Sequence, residues 1–320
     1  MNSQQHKLAG AAILLAAILI LVIVLAISVG ATHLDWKSDT ARIILLNIRL
    51  PRVLLAAVIG ATLAVAGVTF QTLLRNPLAD PFILGVSGGA AAGAAVSTAF
   101  GLGRIPGVVP LVAFAGACGA TTAVFLLARR RDHTDATRLL LSGLVLNAFF
   151  SAIILIAFSL SRSADLTAAL RWMMGTLFGA SWTSVALVAT LLIAAMLLLA
   201  FFANDLRMLA FGEEDAKARG VDVERIKFAG FAAASIVTGA AVAVSGIIGF
   251  VGLLVPHLIR LIWRRDFRFL LPLCALGGAI LLVGADIASR VIVSSAELPI
   301  GAFTALLGVP FFLSLLRRAR

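Results

Sequence analysis

From Leu8 to Val29 the chain runs through 22 consecutive residues without a charged side chain. At about 1.5 Å per helical residue, such a run reaches across the roughly 30 Å hydrocarbon core of a bilayer. It is too long for the apolar core of a secretory leader and lacks a persuasive cleavage site, so it reads as a first membrane span. Further apolar runs fall at about 53–74, 82–100, 108–128, 139–160, 183–203, 228–247, 249–263, 269–289 and 302–316. In lipid the backbone must satisfy its own polar groups, which leaves helices or closed barrels, and runs of this length predict helices. The expected fold is an all-α membrane protein of about ten transmembrane helices in a compact bundle. The run at 249–263 is short, begins on glycines and carries Pro256, so a broken or partial span is expected there.

With 61% apolar and 13% charged residues, little chain remains outside the bilayer, which excludes a large soluble catalytic domain. Residues 1–320 read as a single transmembrane domain, with 204–227 as its longest loop. The spans are rich in glycine and alanine, which lets helix backbones approach closely where lipid supplies no hydrophobic drive. A net charge of +11 would suggest nucleic acid in a soluble protein; in a membrane protein it reflects topogenic loops. Ten spans put both termini on one side, and that side carries eighteen Lys and Arg against eight. The positive-inside rule makes it cytoplasmic, and no nucleic-acid partner is expected.

The pattern withholds several chemistries. None of the four lysines sits in a phosphate-binding Gly-Lys-Ser/Thr loop, so ATP hydrolysis by that route, and an enzymatic role with it, is not expected. The four histidines are scattered, Cys118 and Cys274 stand alone in apolar runs, and no spacing suggests a metal or a disulfide. Gly85-Val-Ser87-Gly-Gly89 fits the G-x-S-x-G pattern, and an intramembrane serine protease would need His257 as its base, but the strand–turn–helix setting of that motif is missing. A stand-alone secondary transporter would need coupling-ion residues in mid-bilayer and paired broken helices in the two halves; neither stands out. Asp286 and Arg290, four apart, can pair on one helix face. Gln71 and Asn147 are polar residues inside spans that either join helices or line a pathway.

Two loops read as more than connectors. Within 204–227, the only strongly mixed-charge stretch, Glu213 to Arg219 favours a short helix that Gly220 is placed to end. Such a helix either docks a soluble partner or is an ordinary charged loop. On the other side, Arg49-Leu-Pro-Arg52 puts two arginines on one helix face, with Pro51 suited to a first helical turn, and Arg290 falls on the same side. The trio could receive an acidic protein surface through its forked donors or anchor the helices at the interface by snorkelling.

At these residues the chain resembles the FecCD family, the membrane subunits of type II ATP-binding-cassette importers for iron chelates, haem and cobalamin. The resemblance spans about residue 40 to the end and rests on five strings in the family's order. They are Arg49-Leu-Pro-Arg52; Asn76-Pro-Leu-Ala-Asp-Pro81 into Leu84-Gly-Val-Ser-Gly88; Trp172-Met-Met-Gly175 with Gly179-Ala-Ser-Trp182; Gly249-Phe-Val-Gly-Leu253 into Pro256-His257; and Glu297-Leu-Pro-Ile-Gly301. What it implies is a homodimer in the cytoplasmic (inner) membrane, two cytoplasmic ATPases and an outer substrate-binding protein, with ATP used by the partner and no cofactor held by this chain. It implies docking of acidic groups of the binding protein on Arg49, Arg52 and Arg290. It also implies ATPase coupling through Glu213, Glu214, Asp215, Ala216, Arg219 and Gly220, where Asp215 replaces the second residue of the usual Glu-Ala-Ala form. A substrate pathway near Ser87, Gly88, Gly89, Ser142, Asn147 and Ser151 is expected on the same ground. The cargo favoured by family frequency is an iron–siderophore or haem, with cobalamin the alternative.

Overall fold

The computed structural model describes residues 3–29, 39–130, 133–262, 266–292 and 298–318. They form helices α1 (Ser3–Ser28), α2 (Asp39–Ile44), α3 (Leu50–Leu73), α4 (Val86–Ala99), α5 (Val108–Ala128), α6 (Ala136–Leu160) and α7 (Ser163–Met173). There follow α8 (Trp182–Phe201), α9 (Ala203–Phe211), α10 (Glu213–Ala218), α11 (Val223–Ser245), α12 (Val251–Ile262), α13 (Phe267–Val291) and α14 (Ile300–Arg318). The only described strands are β1 (Arg129–Arg130) and β2 (His133–Thr134), a two-residue antiparallel pair between α5 and α6. Each of the ten apolar runs carries a helix, and seven of the described helices are long and apolar enough to cross a bilayer. The short run before Pro256 gives α12, only 12 residues, or about 18 Å of helix, so it stops short of a full crossing.

Helix α3 is the axle of the bundle. Nearly nine-tenths of its most apolar window is buried, against about a tenth for α1 and α6. It packs on α13, α11, α12 and α8, and the contact with α13 is backbone on backbone. A Cβ on Gly60 would overlap the Gly278 carbonyl, and one on Gly278 would overlap the Gly60 carbonyl, so only glycine fits either place. Where α3 buries hydroxyls it folds them back on itself: Thr62, Thr69 and Thr72 each donate to the carbonyl four residues earlier at 2.7 Å. With no water at that depth, this satisfies the hydroxyls without another helix.

Pro51 lies in the first turn of α3, as the sequence suggests, but that helix has no free start. The helix is continuous from Asp39 to Leu73, and a π turn at Leu45–Arg49 immediately precedes α3. Proline lacks an N–H and its ring crowds the carbonyl four residues back; one widened turn removes that conflict. Helix α7 lies outside the ten apolar runs, because its sequence Ser-Ala-Asp-Leu-Thr-Ala-Ala-Leu-Arg-Trp-Met is amphipathic rather than apolar.

Candidate functional site

The ends of three distant helices meet at one end of the bundle. Arg52 of α3 reaches Asp286 of α13 with Nε 2.9 Å from Oδ1, and Arg290 places Nη2 2.9 Å from Oδ2 of the same carboxylate. Arg290 also donates to the carbonyls of Val29 and Ala26 at 2.9 and 3.1 Å, and Arg49 to that of Ile27 at 2.9 Å. The Asp286–Arg290 pair foreseen from spacing is present. The arginine trio therefore does converge, but on a fully buried aspartate and the C-terminal carbonyls of α1; Arg49 itself is only 6% exposed. That geometry braces three helices; the recruitment of Asp286 by Arg52, 234 residues away, is not readable from local spacing.

The opposite end carries the mixed-charge loop. Glu213 opens α10 and its carboxylate lies 2.8 Å from Lys227 Nζ and 3.7 Å from Arg75 at the end of α3. Lys227 is buried; it donates to the Thr134 carbonyl at 2.6 Å and sits 3.6 Å from Glu224. Glu224 in turn accepts from the Thr134 N–H at 3.0 Å and from its hydroxyl at 2.6 Å. One clip thus joins α10, α11, α3 and the α5–α6 connection. Ala216 is buried beneath α10, whereas Glu214, Asp215, Arg219 and Gly220 are exposed. The expected short helix and its terminator are both present: Gly220 has φ +81°, its N–H bonds to Lys217 O at 2.9 Å, and the Val221 N–H bonds to Ala216 O at 3.1 Å. This is the paired closure of a Schellman C-terminus, which needs a left-handed residue. Neither Lys227 nor helix α9 was expected at the sequence level, although Lys227 is one of only four lysines and lies at a span's entrance.

Between the ends, a cavity of about 490 Å³ opens among the 74–85 connection, the end of α7, the α11–α12 break and the start of α14. Phe82, Met173, Met174 and Phe250 give it thioether and aromatic walls, and Asp80 is its one acidic group. Phe250 holds a left-handed backbone at φ +67° and presses on Gly308 of α14; a bulky residue in that region marks strain fixed by its surroundings. The residues expected to line a pathway stand beside this cavity rather than in it. Ser87 and Gly89 are buried and Gly88 is half-buried against Asn147, while Ser142 and Ser151 lie on α6. Asn147 donates to the carbonyls of Phe82 and Ile83 at 3.0 and 3.3 Å, and Gln71 donates to Gly252 O at 3.0 Å, so both polar residues join elements. His257 stacks edge-on against Phe311 and Phe312, and no hydrogen bond joins it to Ser87 among the described residues, so the protease pairing is not formed.

Asp80 is 4% exposed, and burial pushes its carboxyl up to about 6 against the pull of the Phe82 N–H at 2.8 Å. A raised acid costs stability as pH climbs from its unfolded value to its folded one. Asp80→Asn should therefore raise the melting temperature at pH 7.5 and have little effect at pH 4; an equal shift at both would contradict the burial of a charge here.

A helical bundle with a central buried helix, an open, largely apolar cavity between its ends and ionic clips at both ends has the build of a multi-pass membrane permease. The chain belongs to the FecCD transport family, whose model matches residues 13–318. It is 44% identical over 280 residues to the cobalamin import system permease protein BtuC of Halobacterium salinarum, covering 87% of this chain and 74% of that one. To the hemin transport system permease protein HmuU of Yersinia pestis it is 41% identical, covering 96% of each. A solved transporter described as metal-chelate type ABC, in an inward-facing conformation, superposes with a TM-score of 0.88 at 29% identity, covering 98% of this chain and 99% of that one.

Proposed function

We propose that this chain is the permease of an ATP-binding-cassette importer that carries a bulky metal chelate across the cytoplasmic membrane. The observation that carries this reading is the family match along nearly the whole chain, joined to a pair of short helices, α9 and α10, presented at one end. Haem is the first cargo to test, an iron–siderophore the second, and cobalamin the alternative. Relatives named for hemin and for cobalamin both lie above 40% identity, and soft thioether and aromatic walls suit a large, weakly polar complex. Two copies would enclose the path between them, with both termini and α10 on the cytoplasmic side. In this reading residues 1–320 form one permease domain, the chain is not an enzyme, and ATP is consumed by partner subunits.

Transport then follows from rigid-body motion. Closure of the ATPases displaces α9–α10, and the Glu213–Lys227–Glu224 clip passes that displacement to α11, α3 and the α5–α6 connection. Purification from native membranes in mild detergent should bring down a stoichiometric P-loop ATPase whose hydrolysis rises with an outer binding protein. A chain that purifies alone and without ATPase at every salt concentration would overturn the proposal. Gly220→Val forces a β-branched residue into the left-handed C-terminus of α10, at a cost of about 1–2 kcal/mol. ATPase stimulation should fall several-fold while the permease remains folded; wild-type stimulation would remove α10 from the coupling route.

The docking role of Arg49, Arg52 and Arg290 is proposed as long-range steering. Arg52 and Arg290 share Asp286, Arg49 caps α1 beside them, and the field of this guanidinium cluster draws an acidic surface inward without releasing the ties to α1. Arg49→Gln should slow binding-protein association severalfold at low salt and converge with wild type at high salt. Identical rates throughout would leave the cluster with bracing alone.

A further inference from the structure

A second cleft, of about 450 Å³, lies where the cytoplasmic ends of α3, α12 and α13 meet α9. Three arginines from three different elements line it: Arg75 after α3, Arg207 on α9 and Arg260 on α12, with Asp266 the one acidic residue in its wall. The carboxylates at hand do not balance them. Asp266 stands 3.4 Å from Arg207, a loose pair, and Glu213 stands 3.7 Å from Arg75 while holding Lys227 more tightly at 2.8 Å. Arg260 is half-buried and hydrogen-bonds to the neutral Gln71 amide, and no ion pair of Arg260 occurs among the described residues. Three arginines facing two carboxylates, one of them shared with Lys227, leave a net positive field that favours an anion in the cleft.

The rest of the wall mixes polar Gln71 and Thr72 with apolar Ala210, Phe211, Phe267 and Leu270. Phe211 is 78% exposed and Leu270 closes the side toward α13. The cleft is therefore cationic with an exposed aromatic edge at Phe211, and it sits at the ends of helices long and apolar enough to cross a bilayer. We propose that it is a binding site for the headgroup of an anionic phospholipid, its phosphodiester on Arg75, Arg207 and Arg260 and its acyl roots against Phe211 and Leu270. Basic pockets between helix ends on the cytoplasmic side recognise such headgroups. The site needs neither an ATPase nor a cargo, so it stands or falls separately from the importer reading.

The test is native mass spectrometry of the purified full chain with phosphatidylglycerol or phosphatidylcholine of matched acyl chains. Wild type should retain phosphatidylglycerol selectively. Arg207→Gln and Arg75→Gln, both at well-exposed side chains, should each weaken retention roughly fivefold. Arg104→Gln, on an exposed turn elsewhere, should leave retention unchanged. Arg260→Gln disturbs the Gln71 contact, so its result counts only if the variant melts as a folded protein. Equal retention of the two lipids, or no loss in the Arg207 and Arg75 variants, overturns the proposal. So does displacement of the lipid by millimolar inorganic phosphate with the same arginine dependence, which would make this a free-anion site. Loss of ATPase association with unchanged lipid retention in those variants would make the cleft a protein-docking surface and also overturn it.

Discussion

Asp286→Ala should cost about 3–5 kcal/mol of stability, the usual toll for breaking a buried ion pair by deleting one partner. Asp286 is fully buried, and its removal takes the shared carboxylate from the guanidinium groups of Arg52 and Arg290, whose side chains are 12% and 8% exposed. Thermal unfolding in detergent would read the loss directly. The companion variant replaces the whole cluster, Asp286→Leu with Arg52→Met and Arg290→Met. It should recover much of the deficit, because apolar groups of similar volume often match a buried ionic cluster. It would not recover the bonds from Arg290 to the α1 carbonyls. A single variant within about 0.5 kcal/mol of wild type, the range of ordinary surface substitutions, would show that the carboxylate is not holding those charges.

Gly278→Leu should be comparably severe, at about 3 kcal/mol, the upper end of ordinary overpacking. The contact across the α3–α13 crossing is with backbone, which cannot rotate away as a side chain can. Gly284→Leu on the same helix is the control, since a Cβ there meets nothing within 4 Å. The pair isolates steric conflict from helix propensity, because both substitutions replace glycine by leucine in α13. If both variants melt alike, the two backbones are not as close as described.

The ten helices were legible because apolar length is a local property, written residue by residue. So was the end of α10: Gly220 follows a charged run at the place where a left-handed closure is required. Helix α7 escaped because its residues alternate between polar and apolar, and the π turn at 45–49 escaped because only the continuity of α2 into α3 demands it. The sites divide along the same line. Arg49, Arg52 and Arg290 could be singled out by type and side of the membrane, but Asp286 as the shared partner of Arg52 and Arg290 depends on a pairing 234 residues apart. Lys227 looked like one more topogenic charge until Thr134 and Glu213 were seen around it. The cavity walls Met173, Met174 and Phe250 lay within family strings, yet which of those residues face a cavity is a matter of packing, which a single sequence does not record.

The latch at Arg290 also bears on the order in which the chain is built. Helix α1 is synthesised well before α13, but the groups that grip its far end include Arg49 close behind it and Arg290 near the end of α13. Most of α1's neighbours in the bundle are on α13. Until α13 is made, then, α1 sits in the membrane with the face that α13 covers bare to lipid. Ribosome-arrested chains ending before residue 267 should leave α1 open to crosslinking by membrane-insertion factors, and chains extending well past residue 290 should not.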